Sequence, residues 1–142
     1  DVHELFEKVG WSDDPIPELP YTDAAQVVRT TMEIDAVREL LAKPENATLF
    51  HELPIEGILD DVWISGIIDR LVVSYDADGS PQTAKVIDYK TDAVDDDAVL
   101  LNRYAHQLRT YQRMIAMALG LEVREVTCWI VATHSGRVIE IS

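Results

Sequence analysis

Cysteine is nearly missing from this sequence. The single one, Cys128, stands in the apolar run Val126-Thr127-Cys128-Trp129-Ile130-Val131, which excludes an internal disulfide, a cysteine-built zinc site and an iron–sulfur cluster held within the chain. It reads as a small buried residue of a protein kept in a reducing, cytoplasmic compartment. Basic residues are scarce too, with 12 Lys and Arg against 26 Asp and Glu and a net charge of −14. That balance argues against a freestanding nucleic-acid binder, because phosphate backbones attract basic surfaces. A domain tethered to a larger protein escapes the objection, since its neighbours hold the nucleic acid and raise its local concentration. A salt-rich source would give the same acidity. No apolar run reaches membrane-spanning length and no signal-peptide pattern opens the chain, so no membrane partner is expected.

What the chain does have is enough length and apolar content for a core: 142 residues, 47% of them hydrophobic, the size of one ordinary domain. The first residues already read as amphipathic helix without an initiator Met, so residues 1–142 are expected to form a single domain cut from something longer. Leu5, Phe6 and Val9 make the apolar side of a short helix over 3–9 that stops at Gly10. Residues 11–20 carry three prolines and form a linker that cannot be helix. From Thr22, an N-cap, Ala24, Val27, Val28, Met32, Val37, Leu40 and Leu41 recur at helical spacing until Lys43-Pro44, predicting one scaffold helix.

The period then changes to that of strands over 48–55, 62–74 and 83–90, with turns at Asp60-Asp61 and at Asp78-Gly79, the second a strong hairpin signal. Three antiparallel strands are expected. A long helix over 97–119 follows, capped by Asp95 to Asp97 and closed by Gly120, with Leu101, Tyr104, Leu108, Tyr111, Ile115 and Ala118 as its apolar stripe. Gln107 lies beside that stripe and needs a partner. A strand over 125–131, a tight turn at His134-Ser135-Gly136 and a last strand over 137–141 complete the chain. If the first of these joins the same sheet in parallel, the helix makes a right-handed crossover.

The stretch Ala84-Lys85-Val86-Ile87-Asp88-Tyr89-Lys90-Thr91-Asp92 is an apolar, β-branched run that delivers an acid and a lysine two positions apart, hence on one face of a strand. Alone, the pair is a salt bridge. A hairpin symmetric about Asp78-Gly79, however, places Asp69 directly across from Asp88. Directly opposed Cβ atoms lie roughly 4.5–5.5 Å apart, where two like charges repel unless something neutralises them. Two facing carboxylates beside a lysine fit a site that cleaves phosphodiesters. Hard divalent cations such as magnesium are held by one or two carboxylates plus substrate phosphate, they activate bound water, and a lysine orients that water or adds positive charge where negative charge develops.

Gly66-Ile67-Ile68-Asp69-Arg70, then Val86-Ile87-Asp88-Tyr89-Lys90-Thr91-Asp92, then Tyr104-Ala105-His106-Gln107-Leu108-Arg109-Thr110-Tyr111 resemble, in order and spacing, the nuclease domain of the RecB and AddA helicase–nucleases in the PD-(D/E)xK superfamily. The likeness covers residues 51 to the end. It extends to the start through His3, which sits in a context matching the family's N-terminal histidine. The resemblance implies a restriction-endonuclease-like α/β (α+β) core, a central mixed sheet of about five strands flanked by helices. It implies Mg2+ at the site, with Mn2+ or Ca2+ able to replace it, held by His3, Asp69, Asp88 and the carbonyl of Tyr89. Asp69, Asp88 and Lys90 would be the catalytic set. Gln107 and Tyr111, one helical turn apart, match the family's Gln-x-x-x-Tyr motif, which lines the active-site side and contacts the lysine region or DNA. The partners it implies are DNA, as single strands or unwound ends, the parent's helicase domains and a second subunit. The function it implies is exonucleolytic processing of DNA in double-strand-break repair and recombination.

The alternative in another class is a catalytically silent module of the same fold, serving as a DNA-binding or structural scaffold in a repair complex. Such modules lose an acid or the lysine, and both acids and the lysine are present here. Glu52 falls where relatives carry an acid, with a structural role equally open, and His51, His106 and His134 match no motif. Arg70, Arg103, Arg109 and Arg113 are candidates to steer phosphates, although a helix so rich in polar positions leaves most of its arginines simply solvated.

Overall fold

Five strands form one mixed sheet in the order β1-β2-β3-β4-β5 in the computed structural model, which describes residues 1–141. β1 (Ala47–Leu59), β2 (Val62–Tyr75) and β3 (Pro81–Lys90) are successive antiparallel neighbours. β4 (Val126–Ala132) then lies parallel to β3 and antiparallel to β5 (Arg137–Ile141). A parallel neighbour demands a long connection, and α4 (Asp97–Leu119) supplies it. This is the α/β architecture with a mixed five-stranded sheet and flanking helices that the sequence led us to expect, consistent with a restriction-endonuclease-like fold.

The β2–β3 register is the expected one, for an unexpected reason. Arg70 pairs with Ile87 and Ser74 with Thr83, and the ladder ends one step short of Asp69 and Asp88. The loop itself is not symmetric about Asp78-Gly79. The Asp76 amide bonds the Ser80 carbonyl, the Gly79 amide bonds the Asp76 carbonyl with Gly79 at φ +83°, and the Asp76 carboxylate accepts from the Asp78 and Ser80 amides. Tyr75 therefore faces Pro81, and an irregularity between Ser74 and Tyr75 takes up the one-residue slip. Pro81, with no N–H to give, stands where the ladder breaks.

The cluster packed against α4 includes Ile68, Leu71, Val86, Leu108, Tyr111, Ile115, Cys128 and Ile130; each such side chain contributes about 1.5–3 kcal/mol by its burial. Ile68 and Leu71 are three positions apart yet share this cluster, so the alternation of β2 slips across Asp69-Arg70. Glu52, at φ +48°, falls at the same level of β1, between the pairs His51–Arg70 and Leu53–Ile68. α4 keeps the expected limits: the Asp96 carboxylate caps the Ala98 amide, and Gly120 closes the helix at φ +69°. Ala118, expected in the buried stripe, is exposed, and Ala116 is buried instead.

The opposite face of the sheet is covered by α1 (Val2–Phe6), α2 (Asp23–Met32) and α3 (Asp35–Leu40). Leu5, Phe6, Val9, Val28, Val37 and Leu41 pack there on Ile87, Tyr89 and Val131. The single helix expected after Thr22 is thus two. Thr22 caps the first at 3.1 Å as expected, but Ile34 turns extended (ψ 125°) and starts the second. That break, made without Gly or Pro, brings the Ile34 side chain against Gly136, where a Cβ would overlap it. The proline-rich segment has no helix or strand, but it is tied down: the Ser12 amide bonds the Leu41 carbonyl and Arg29 bonds the carbonyls of Leu19 and Pro20.

Candidate active site

The β2–β3 ladder stops at Arg70–Ile87, and the strands fork just beyond it. There the Tyr89 amide donates at 3.0 Å to the Asp69 carboxylate. Asp69 is mostly buried, and its other close partner is Asp88, within hydrogen-bonding reach. Burial, reinforced by the Asp88 carboxylate, pushes the Asp69 carboxyl up to about 8. An acid in that state keeps its proton at neutral pH unless a cation takes the proton's place.

Asp88 has the opposite company. Lys90 Nζ lies 2.9 Å from its Oδ2 and 4.0 Å from the centre of the Tyr104 ring. Burial alone would lower the Lys90 ammonium, but the Asp88 carboxylate overrides it and holds the group above its ordinary value. Tyr104 is fixed in turn, its hydroxyl donating to Asp92 at 2.8 Å while Arg103 bonds the same carboxylate at 2.7 Å. Burial raises Asp92, yet those two donors leave it below the usual carboxylate range.

α1 brings His3 to the fork. Phe6 stacks on Tyr89 with centroids 4.0 Å apart and planes 9° from parallel, and Asp1 caps the His3 amide at 2.8 Å. His3 Nε2 consequently sits 2.7 Å from the Tyr89 carbonyl oxygen and 3.8 Å from Asp69 Oδ2. Of the four expected donors, His3 thus lies beside both the Tyr89 carbonyl and Asp69, and Asp69 beside Asp88. Gln107 and Tyr111 stand one step back. The Gln107 amide donates to the Tyr111 hydroxyl at 3.2 Å, and Tyr111 lies in the field of Asp88 and Lys90. A Cβ on Gly66 would overlap the Tyr111 hydroxyl, which gives the glycine three residues before Asp69 its reason.

Of the arginines considered for steering phosphate, Arg70 is wholly buried and bonds the carbonyls of Val9 and Gly10. Arg103 is engaged by Asp92 and Arg113 makes a two-pronged pair with Asp60. Sequence reasoning missed Asp92 and the second role of Tyr104. Both had a signal, since Asp92 follows Lys90 at strand spacing and Tyr104 lies seven residues before Tyr111. It missed as well the pairing of Glu52 with Glu7. Burial first, then Glu7, raises the Glu52 carboxyl, which also feels Asp88.

Among the described residues, no group of three or more His, Cys, Asp and Glu side chains already converges tightly enough to hold a metal. The donor chemistry nevertheless fits a hard divalent ion: two acids, a carbonyl oxygen and an imidazole, with one acid retaining its proton because it is buried and has an acid beside it. No helix among the described residues is long and apolar enough to cross a membrane. A search of curated proteins finds no match. A family model described as the PD-(D/E)XK nuclease superfamily matches residues 2–139. The chain belongs to that superfamily, whose members are typically metal-dependent and act on nucleic acid.

Proposed function

We propose, from this superfamily membership, that the chain is a magnesium-dependent deoxyribonuclease of the RecB and AddA type. Its setting would be a cytoplasmic helicase–nuclease that processes DNA ends in double-strand-break repair and recombination, with 1–142 as its nuclease domain. The observation that carries the reading is the contrast between the two opposed acids: Asp88 has Lys90 at 2.9 Å, whereas Asp69 has an acid for a neighbour. His3, Asp69, Asp88 and the Tyr89 carbonyl are the residues that would hold the ion. When bound, such an ion supplies a water of lowered pKa and positive charge for the phosphate. Lys90, kept charged, orients the attacking water or meets the charge that develops on phosphate. Tyr104 keeps that ammonium in place, and the Gln107–Tyr111 pair fixes the wall against which the strand carrying Asp69 is packed. The net charge of −14 suits a module to which tethered motor domains, with a second subunit, deliver single-stranded or unwound DNA.

The test combines metal titration with cleavage of linear DNA by the chain or by the protein that carries it. Binding of magnesium, and of manganese or calcium in its place, should be lost in Asp88→Ala, and cutting should require Lys90. A Lys90→Ala protein that cuts undiminished removes the role assigned to the lysine. DNA binding without cutting in the intact parent protein would favour a silent scaffold.

A further inference from the structure

A cavity of about 440 Å3 opens between α2 and the segments that follow β3 and β4, within the roughly 300–1,000 Å3 typical of small-molecule sites. Its wall adjoins candidate-site residues along the chain. Val2, on its wall, precedes His3, and Thr91 follows Lys90. Thr133, also on the wall, bonds the Lys90 carbonyl through both its amide (2.9 Å) and its hydroxyl (3.1 Å). The remaining wall is largely one face of α2, where Asp23, Gln26, Val27 and Thr30 follow one another at helical spacing.

The chemistry of this lining selects its ligand. No Lys or Arg contributes to it, and His134 leans toward Asp95 at 3.5 Å, so the Asp23 carboxylate leaves the cavity inhospitable to a phosphate. Val2 and Val27 offer apolar surface, while Gln26, Thr30, Thr91 and Thr133 offer neutral hydrogen-bonding groups. The Gln26 amide nitrogen is engaged by the Thr30 hydroxyl oxygen at 3.2 Å, which leaves the amide oxygen of Gln26 and the hydroxyl hydrogen of Thr30 for a ligand. A flat group with apolar faces and a neutral donor–acceptor edge, attached a few bonds from a phosphodiester, is a nucleobase. Proteins hold extruded or single-stranded bases by this combination of apolar packing and edge hydrogen bonds.

We propose that this cavity is a subsite for one unpaired nucleobase of the strand being cut, next to the phosphate at the acid pair. The assignment rests on the nuclease reading above. It gives an acidic domain a way to hold DNA that does not depend on neutralising phosphates, so the base-dependent part of binding should change little with salt.

The experiment uses the full chain with calcium in place of magnesium, and single strands of abasic residues bearing either one 2-aminopurine or none, followed by anisotropy of an end label. The strand with the base should bind about tenfold more tightly, at low and high salt alike. Gln26→Ala combined with Thr30→Ala, and separately Thr30→Phe to fill the cavity, should bring it down to the level of the baseless strand. These positions are exposed on α2, so the fold tolerates the changes. Equal binding of the two strands, or wild-type affinity in both cavity variants, overturns the subsite. Cleavage is read separately with magnesium: a parent protein that fails to cut overturns the nuclease reading, while base-dependent binding decides the subsite either way.

Discussion

Asp69 and Arg70 are neighbours in sequence, are both withdrawn from water, and have opposite fates. Arg70 turns to the face covered by α1 and α3, where its terminal nitrogens bond the Val9 and Gly10 carbonyls at 3.0 and 2.7 Å and its guanidinium lies 5.7 Å from the centre of the Trp11 ring. Asp69, across the slip in β2, meets the Tyr89 amide, a second acid and, at 3.8 Å, the His3 ring. Removing a charge from water is tolerable when hydrogen bonds replace hydration, and costly when the nearest neighbour has the same sign. The first arrangement ties a loop to a sheet. The second is stable only with a proton or a cation, and that need for a missing partner marks a site.

The widest separation between the two regions should appear in activity. Lys90→Ala and Asp88→Ala are expected to lower the cleavage rate about 10³-fold with the circular dichroism of a folded protein. Arg70→Met should do the reverse, costing about 3 kcal/mol or more in chemical denaturation, because two hydrogen bonds from a charged donor disappear and two carbonyls lose their partner. A folded, fully stable Arg70→Met protein that no longer cuts would break the distinction, by placing Arg70 in the chemistry.

Much of this contrast was legible beforehand. The register expected from the Asp78-Gly79 turn holds from Ser74–Thr83 to Arg70–Ile87, although a bulge and not a symmetric loop produces it, and the caps of α4 marked both its ends. What escaped was held by contacts far apart in sequence. Nothing local announces that Phe6 stacks on Tyr89 and so delivers His3, or that the facing of β2 side chains changes across Asp69-Arg70, level with Glu52 at φ +48°. The break at Ile34 lacks any breaker residue, since it is made by packing under the β4–β5 turn. Arg70, read as a candidate for phosphate, proved to be a structural anchor because carbonyls from Val9 and Gly10, some sixty positions away, converge on it.

A smaller effect should appear in stability against pH. With its folded value near 8 and its ordinary value at 3.8, Asp69 keeps its proton where the unfolded chain has released it. Stability of the metal-free protein therefore falls as pH rises through that window. Glu52, also raised, acts in the same sense. His51, lowered by burial, acts oppositely below about 6.5. Comparing wild type with Asp69→Asn cancels both. Wild type should lose several degrees of Tm relative to the variant between about pH 5 and pH 8, each kcal/mol being about 2–4 °C in a chain near this size. Magnesium should restore the loss only in wild type, and parallel melting curves would show that Asp69 is not under like-charge stress.

The finest distinction lies within the acidic region, between the two supports of Lys90. Asp88 holds the ammonium by charge, and any cation that Asp88 accepts competes for that carboxylate. The Tyr104 ring, 4.0 Å from Nζ, attracts the ammonium without carrying charge, and its hydroxyl is anchored by Asp92. A cation over an aromatic face contributes about 0.5–2 kcal/mol. Tyr104→Leu should therefore lower kcat roughly tenfold with KM nearly unchanged. Tyr104→Phe, which keeps the ring and loses only the tether to Asp92, should recover all but about threefold of that loss. Equal losses in the two variants would assign the effect to the hydroxyl and Asp92 instead of the ring. A wild-type kcat in Tyr104→Leu would leave Asp88 as the sole support, and the ammonium would then have to stay in place without it once that acid turns to a metal.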